Sequence, residues 1–276
     1  MGRRSGLHRE IHVTSCIVCG ESEFREIAIA RQYTGDQPIH ICWNCGMVQV
    51  LARRTPEEIF KAWRFALPGG PVYRSAYPAV EARHSYVASF LQTLWWPDRP
   101  SPILDVGGGG KEKFVKKLRK WHSWVASEWN DMAEDLAYVS NQKFRTLTLN
   151  WVLENCGNPN AAVTACLNVL QPDGKIVVAT GSRILTPFKK PLWAYLGPGQ
   201  QDQHAFRFSV NTLRGLLARN GLKAVSVNSY IDSDWLVVAA ARGRETEACK
   251  DDPAAVIDYF ERWHRDTEQF YPRKAA

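Results

Sequence analysis

The run Pro102-Ile103-Leu104-Asp105-Val106 leads directly into four glycines, Gly107 to Gly110, and then into Glu112-Lys113-Phe114-Val115-Lys116-Lys117-Leu118-Arg119-Lys120-Trp121. The first piece is a short apolar run of the kind that forms a buried strand. The last has helical periodicity, with Phe114, Val115, Leu118 and Trp121 on one stripe and Lys113, Lys116, Lys117 and Lys120 opposite, which reads as a solvated face. A strand passing through glycines into a helix brings bare backbone close to a ligand and aims helix N–H groups at it.

Several cofactor loops use this geometry, and spacing separates them. A P-loop needs GxxxxGK followed by Ser or Thr. Here Gly110-Lys111 is followed by Glu112, and Asp105 stands in place of the first glycine. The dinucleotide fingerprint GxGxxG could begin at Gly107 and Gly109 but meets Glu112 where its third glycine permits close helix packing. The remaining pattern is an acidic residue, one spacer and GxG, which Asp105-Val106-Gly107-Gly108-Gly109 supplies.

With that turn the chain resembles the class I S-adenosylmethionine-dependent methyltransferases. Residues 146–159 (TLTLNWVLENCGNP) look like the family's fourth strand and the segment after it, and 169–180 (VLQPDGKIVVAT) like a turn and the fifth strand. Residues 202–222 match the segment in which a histidine precedes a Phe-Ser helix cap and a helix ending in glycine, with Ser209 the N-cap and Gly221 just past the end. LKAVSVN and DWLVVAAA would be the closing antiparallel strands. The resemblance implies an α/β fold: a Rossmann-like, mostly parallel sheet with an antiparallel last strand. It also implies S-adenosylmethionine as cofactor, with Gly107 and Gly109 near its methionyl part, Asp105 at its ammonium group and an acidic residue ending the second strand at its ribose.

Only residues 111–145 separate the glycines from the fourth strand, too few for the usual two helices and two strands. The family's strand order is 3-2-1-4-5-7-6. Losing strand 3 trims an edge, whereas losing strand 2 would leave unpaired backbone beside strand 1. The segment HSWVASEWN is therefore expected to be the second strand, with Glu128 the ribose ligand. Asp131 or Asp135 could supply the acidic group normally found after strand 3, and Asn150 ends strand 4 beside the cofactor. Lys111 stands where a third glycine is usual.

The N-terminal part carries a separate signal. Cys16-Ile-Val-Cys19-Gly and Cys42-Trp-Asn-Cys45-Gly are two CxxC knuckles, each followed by a glycine and separated by 22 residues. Four thiolates so spaced can converge tetrahedrally on one Zn²⁺, and a site closed by four cysteines is structural. Such an ion would organise a ribbon too small for a core of its own. Cys156, Cys166 and Cys249 have no matching partners and read as packing residues. A zinc ribbon ahead of the sheet resembles the sugar C-methyltransferase group, although this chain stops short of that group's large further C-terminal domain.

Strand ends place Trp151 and Glu154 around the substrate cleft, with Lys189 and Lys190 on a proline-flanked loop that could meet a diphosphate. His204 is a candidate general base, Glu154 a candidate catalytic carboxylate, and Tyr77, with Tyr73, a cleft-lining tyrosine. Tyr86, Val87, Phe90, Leu91, Leu94 and Trp95 form one helical stripe that reads as core, and Val256, Phe260, Trp263 and Phe270 another that packs on the body. The net charge of +7 permits an anionic substrate such as a sugar-nucleotide. Only Arg31, Tyr33 and Trp43 suggest the basic-aromatic interleaving that RNA binding requires, so an RNA methyltransferase is the weaker reading. A non-catalytic scaffold on a trimmed fold is a third. No apolar run reaches membrane length, and nothing after the basic N-terminus resembles an export signal, so a cytoplasmic protein is expected. The expected parts are a zinc ribbon (1–55), a helical linker (56–98), the Rossmann-like domain (99–245) and a C-terminal helix (246–276).

Overall fold

The computed structural model describes residues 10–34, 38–55, 71–107, 113–138, 142–181, 192 and 204–268. Its strands are β1 (Glu10–His12), β2 (Phe24–Glu26), β3 (Ile39–Cys42), β4 (Val48–Val50), β5 (Ala52–Arg54), β6 (Ile103–Val106), β7 (Ala126–Trp129), β8 (Phe144–Asn150), β9 (Leu170–Thr180), β10 (Phe206–Arg207), β11 (Leu222–Val227) and β12 (Leu236–Arg242). The helices are α1 (Arg31–Thr34), α2 (Pro71–Trp95), α3 (Lys113–His122), α4 (Pro159–Val169), α5 (Val210–Arg219) and α6 (Pro253–Glu268).

Six strands form the main sheet in the order β11-β12-β9-β8-β6-β7. The four from β9 to β7 run parallel, β12 runs antiparallel to β9, and β11, antiparallel to β12, returns to the direction of the four. Among the described residues this is the expected methyltransferase-like order with strand 3 absent: Ala126–Trp129 takes the edge place beside β6. Every residue of β6 is buried, so its apolar side chains need no alternation. In β9, Val177 and Ala179 face one layer with α2 and α3, while Ile176 and Val178 face the other with α4 and α5. The predicted core stripe of α2 holds: Val87, Leu91 and Trp95 are buried and Tyr86, Phe90 and Leu94 pack beside them. Ser209 caps α5 in a reciprocal capping box with Thr212.

Two local readings are corrected. On α3, Lys117 is only 6% exposed and donates to Ser85 Oγ at 2.7 Å while pairing with Glu81 of α2, whereas Trp121 is 58% exposed. The stripe is rotated because α2 crosses there, and burying a lysine becomes tolerable once its charge is paired. In β9, Pro172-Asp173-Gly174 does not precede the strand but bulges out within it. Phe144 pairs with Leu170 and Thr146 with Lys175, so the four residues between have no opposite number.

The N-terminal ribbon is a sheet of order β10-β4-β3-β2, and its outer strand β10 comes from the chain between β9 and α5. One apolar cluster runs without a break from Cys16, Val18 and Met47 through Phe206 to Leu213 and Leu216 of α5. The C-terminal helix packs on the body as expected, and the structure shows where. Val256, Phe260 and Trp263 pack on Ile39, Ile41, Val48 and Val50, so α6 covers the ribbon rather than the main sheet. Phe270 lies outside the described residues. Among the described residues, no helix is long and apolar enough to cross a membrane.

Candidate active site

The parallel strands end in a row of polar side chains. Asp105 of β6 lies opposite Glu128 of β7 and Thr148 of β8. Its Oδ1 accepts from Thr148 Oγ1 at 2.6 Å and from Asn150 Nδ2 at 2.8 Å. Asp105 is only 2% exposed. Burial pushes its carboxyl up to about 7, the Glu128 charge adds to the shift, and the two hydrogen bonds oppose it. Asn150 Oδ1 is buried without a hydrogen-bond partner among the described residues, leaving an uncommitted acceptor beside Asp105. Two residues after Asp105, Gly107 has φ +80°, and a Cβ there would stand 2.7 Å from Val152 Cγ2. Only glycine fits this turn, which keeps bare backbone at the strand end.

Beyond β8 the chain tightens. Trp151 has φ +55°, a left-handed conformation for a bulky residue, pinned by a 2.7 Å bond from its N–H to Ala179 O. Such strain persists where the surroundings over-determine it and is concentrated at functional sites. The short 3₁₀ turn Leu153–Asn155 then buries Glu154 to 3% exposure. Among the described residues neither carboxylate oxygen meets a donor in full hydrogen-bonding geometry; the Thr180 hydroxyl at the end of β9, also buried, is near enough only to act on the carboxyl electrostatically. Burial pushes the Glu154 carboxyl up to about 7, against smaller opposing effects of its own backbone, the Thr180 hydroxyl and the Arg83 charge. Arg83 of α2 lies over the Trp151 ring at 4.7 Å. Thr148, Thr180 and Arg83 were missed in the sequence. Strand alternation from Asn150 back to Thr148 could have found the first, but no local pattern marks the other two.

The remaining candidates are distributed as follows. Glu128 is on β7 opposite Asp105, and the exposed Asp131 lies just beyond, its side chain accepting from the Met132 N–H at 2.9 Å. Asp135 falls in the 3₁₀ turn Ala133–Tyr138. His204 is half-buried at the entry to β10, which rests against the Glu154 turn, and its carbonyl accepts from Arg207 Nη1 at 2.7 Å. Tyr73 and Tyr77 belong to the start of α2, but their side chains, like Gly109, Lys111, Lys189 and Lys190, lie outside the described residues.

At the ribbon, the four sulfurs of Cys16, Cys19, Cys42 and Cys45 lie within 4.8 Å of one another. The Cys16–Cys45 and Cys19–Cys42 pairs are 3.5 Å apart. Sulfurs about 2.3 Å from one tetrahedral ion would be about 3.8 Å apart, so this donor set suits Zn²⁺ closely. Gly20 and Gly46 follow the knuckles with φ +84° and +72°, each N–H bonding back to the carbonyl of the knuckle's first cysteine at 2.9 Å. Interaction with Cys42 pushes the Cys16 thiol up to about 12, and Cys45 rises further. So many sulfurs in one place cannot all ionise without a cation between them.

A mostly parallel sheet with a crevice at its carboxyl ends, opened by a glycine turn and an acidic strand end, defines a Rossmann-like cofactor-binding protein. The methyltransferase domain family model matches residues 79–227, more than half of the chain, and the chain belongs to that family. Solved structures similar to it include the 1,6-didemethyltoxoflavin-N1-methyltransferase of Burkholderia thailandensis. That match has 14% identity and a TM-score of 0.47 over 76% of this chain and 96% of that one. The magnesium protoporphyrin IX methyltransferase of Synechocystis PCC 6803 follows at 14% identity and 0.40, over 68% of this chain and 95% of that one. The mitomycin 7-O-methyltransferase gives 12% and 0.43, over 67% and 60%. No curated protein matches the chain.

Proposed function

We propose that this methyltransferase acts on a small anionic metabolite of the sugar or sugar-nucleotide type, with a structural zinc ion in its ribbon. The observation that carries the reading is the row of polar groups on adjacent strand ends: Asp105 held by Thr148 and Asn150, opposite Glu128 and next to Gly107. S-adenosylmethionine, when bound, supplies an electrophilic methyl group. Asp105 would take its ammonium group and Glu128 its ribose hydroxyls, while Gly107 leaves room for its methionyl part.

The protein's own work is then alignment and proton removal. Glu154 is placed for the second: a buried carboxyl with no committed donor, poised near neutrality, ionises readily enough to receive a proton from an acceptor hydroxyl and returns it to water on release. His204, at the entry to β10, is the alternative acceptor. Lys189, Lys190 and the net charge of +7 favour an anionic acceptor. The RNA reading is weakened because all three ribbon residues that suggested it are engaged within the molecule. Arg31 pairs with Glu26, Tyr33 bonds to His264 at 2.5 Å, and the Trp43 face is covered by Arg25 at 3.4 Å.

Incubation of metal-replete protein with S-adenosylmethionine and a panel of sugar nucleotides should give products heavier by one methyl group, and Asp105→Ala should abolish them. Salt-sensitive RNA retention with methylation of RNA alone would replace this substrate class. Absence of cofactor binding would leave only the scaffold.

A further inference from the structure

We propose a second binding site, for the phosphate groups of a small ligand, in the seam between the cysteine ribbon and the main sheet. A cleft of about 440 Å³ opens there, within the size range of small-molecule sites. It is lined by Ser15, Ile17, Arg53, Asn158, Asn160 and Arg219 among others, and no lining residue is acidic.

Arg53 carries the inference. It is only 7% exposed, yet among the described residues no carboxylate pairs with it. Its Nη1 donates to Gly157 O at 3.1 Å, its guanidinium lies 4.4 Å over the Phe206 ring, and its Nε has no partner. A buried cation without a counter-ion is unfavourable unless something anionic completes it. Burial alone pulls its pKa down to about 10, so the fold is straining against this charge. Arg219, in the last turn of α5, reaches the same cleft from the other wall. Its Nη1 lies 2.8 Å from where a Cβ on Gly20 would stand, and no ion pair holds it among the described residues. Arg53 and Arg219 thus line one cleft, and guanidinium groups suit a phosphate oxyanion.

The start of α4 adds to this. The Asn158 side chain caps that helix by accepting from Ala161 N at 3.2 Å, and the positive end of the helix dipole opens on the cleft. Glu134 accepts from the Asn158 N–H and lies outside the lining. Asn160 and Asn220 are locked in place, Asn220 Nδ2 donating to Asn160 Oδ1 at 2.8 Å and Asn160 Nδ2 to Ile17 O at 2.9 Å. The wall is therefore preformed. The site does not depend on the methyl-transfer reading, although Gly157 ties it to the turn that carries Glu154.

Calorimetric titration of the full-length, metal-replete protein with inorganic pyrophosphate and with a nucleoside diphosphate tests this at fixed ionic strength. One-to-one binding of either probe, weakened about tenfold or more by Arg219→Ala and by Arg53→Gln but unchanged by Arg262→Ala on α6, would support the site. Binding of pyrophosphate would identify a free polyphosphate as sufficient, and binding of the nucleotide alone would identify a nucleotide ligand. Arg219 is exposed, so Arg219→Ala carries the test if Arg53→Gln does not fold. Absence of binding by either probe, or equal binding by wild type and Arg219→Ala, would overturn it.

Discussion

Asp105 and Glu154 are buried carboxyl groups in two different environments, and each makes a prediction with a definite sign. Both have folded-state values raised to about 7, so the stability they allow is fully present below their unfolded values and is lost as pH rises through about 7. For Glu154 the rise from 4.5 corresponds to about 3 kcal/mol. Urea melts of the cofactor-free protein at about pH 5 and about pH 8 should show a fall in stability that Glu154→Gln reduces by about that amount. An identical fall in the variant would show that Glu154 ionises freely. Asp105 has an opposite consequence for binding. A cationic ammonium group prefers the ionised carboxylate, so affinity for S-adenosylmethionine should rise with pH through about 7 and Asp105→Asn should flatten that dependence. Thr148, which donates to Asp105, shares the face of Asn150 by strand alternation, but a threonine in a buried strand reads as filler unless that alternation is followed.

Much of the fold was legible at the scale of elements, because strand and helix periods are local properties. The order of the main sheet followed from counting the residues behind the glycine turn and asking which missing strand leaves no unpaired backbone. The errors arose where a neighbour from elsewhere in the chain changed the environment. Lys117 is buried because α2 supplies Glu81 and Ser85, and Trp121 is exposed because the same crossing stops short of it. β10, only two residues long, carries no periodic signal and exists because β4 offers an edge. The glycine turn was legible because it combines positive φ with contact to Val152. Gly107→Ala should therefore leave the fold cooperative and weaken S-adenosylmethionine binding by at least about tenfold, with strain of about 1–2 kcal/mol lowering the melting temperature. Unchanged affinity would show that the cofactor does not approach this turn.

At the scale of the whole molecule, the ribbon is not a separate bead on the methyltransferase sheet. β10 completes its sheet, α6 covers one of its faces, and α5 presses against its first knuckle so closely that a Cβ on Gly215 would stand 2.6 Å from Val18 Cγ1. Removal of the ion proposed for Cys16, Cys19, Cys42 and Cys45 should therefore lower the melting temperature of the entire chain in one transition. Calorimetry before and after chelation checks this, and an unshifted transition would show that the cysteines hold no structural metal. The sequence could not reveal this coupling, since α6 and the ribbon are separated along the chain by the whole main sheet and meet through tertiary contacts alone, among them the Asp251 N–H, just ahead of α6, bonding to Cys45 O at 3.1 Å.

The most direct test of the central claim is calorimetric titration of metal-replete protein with S-adenosylmethionine, comparing wild type with Asp105→Ala. The account predicts saturable one-to-one binding by the wild type and at least about a tenfold loss in the variant, in which the carboxylate for the ammonium group is gone. Absence of binding by the wild type, or equal binding by the two proteins, would contradict it.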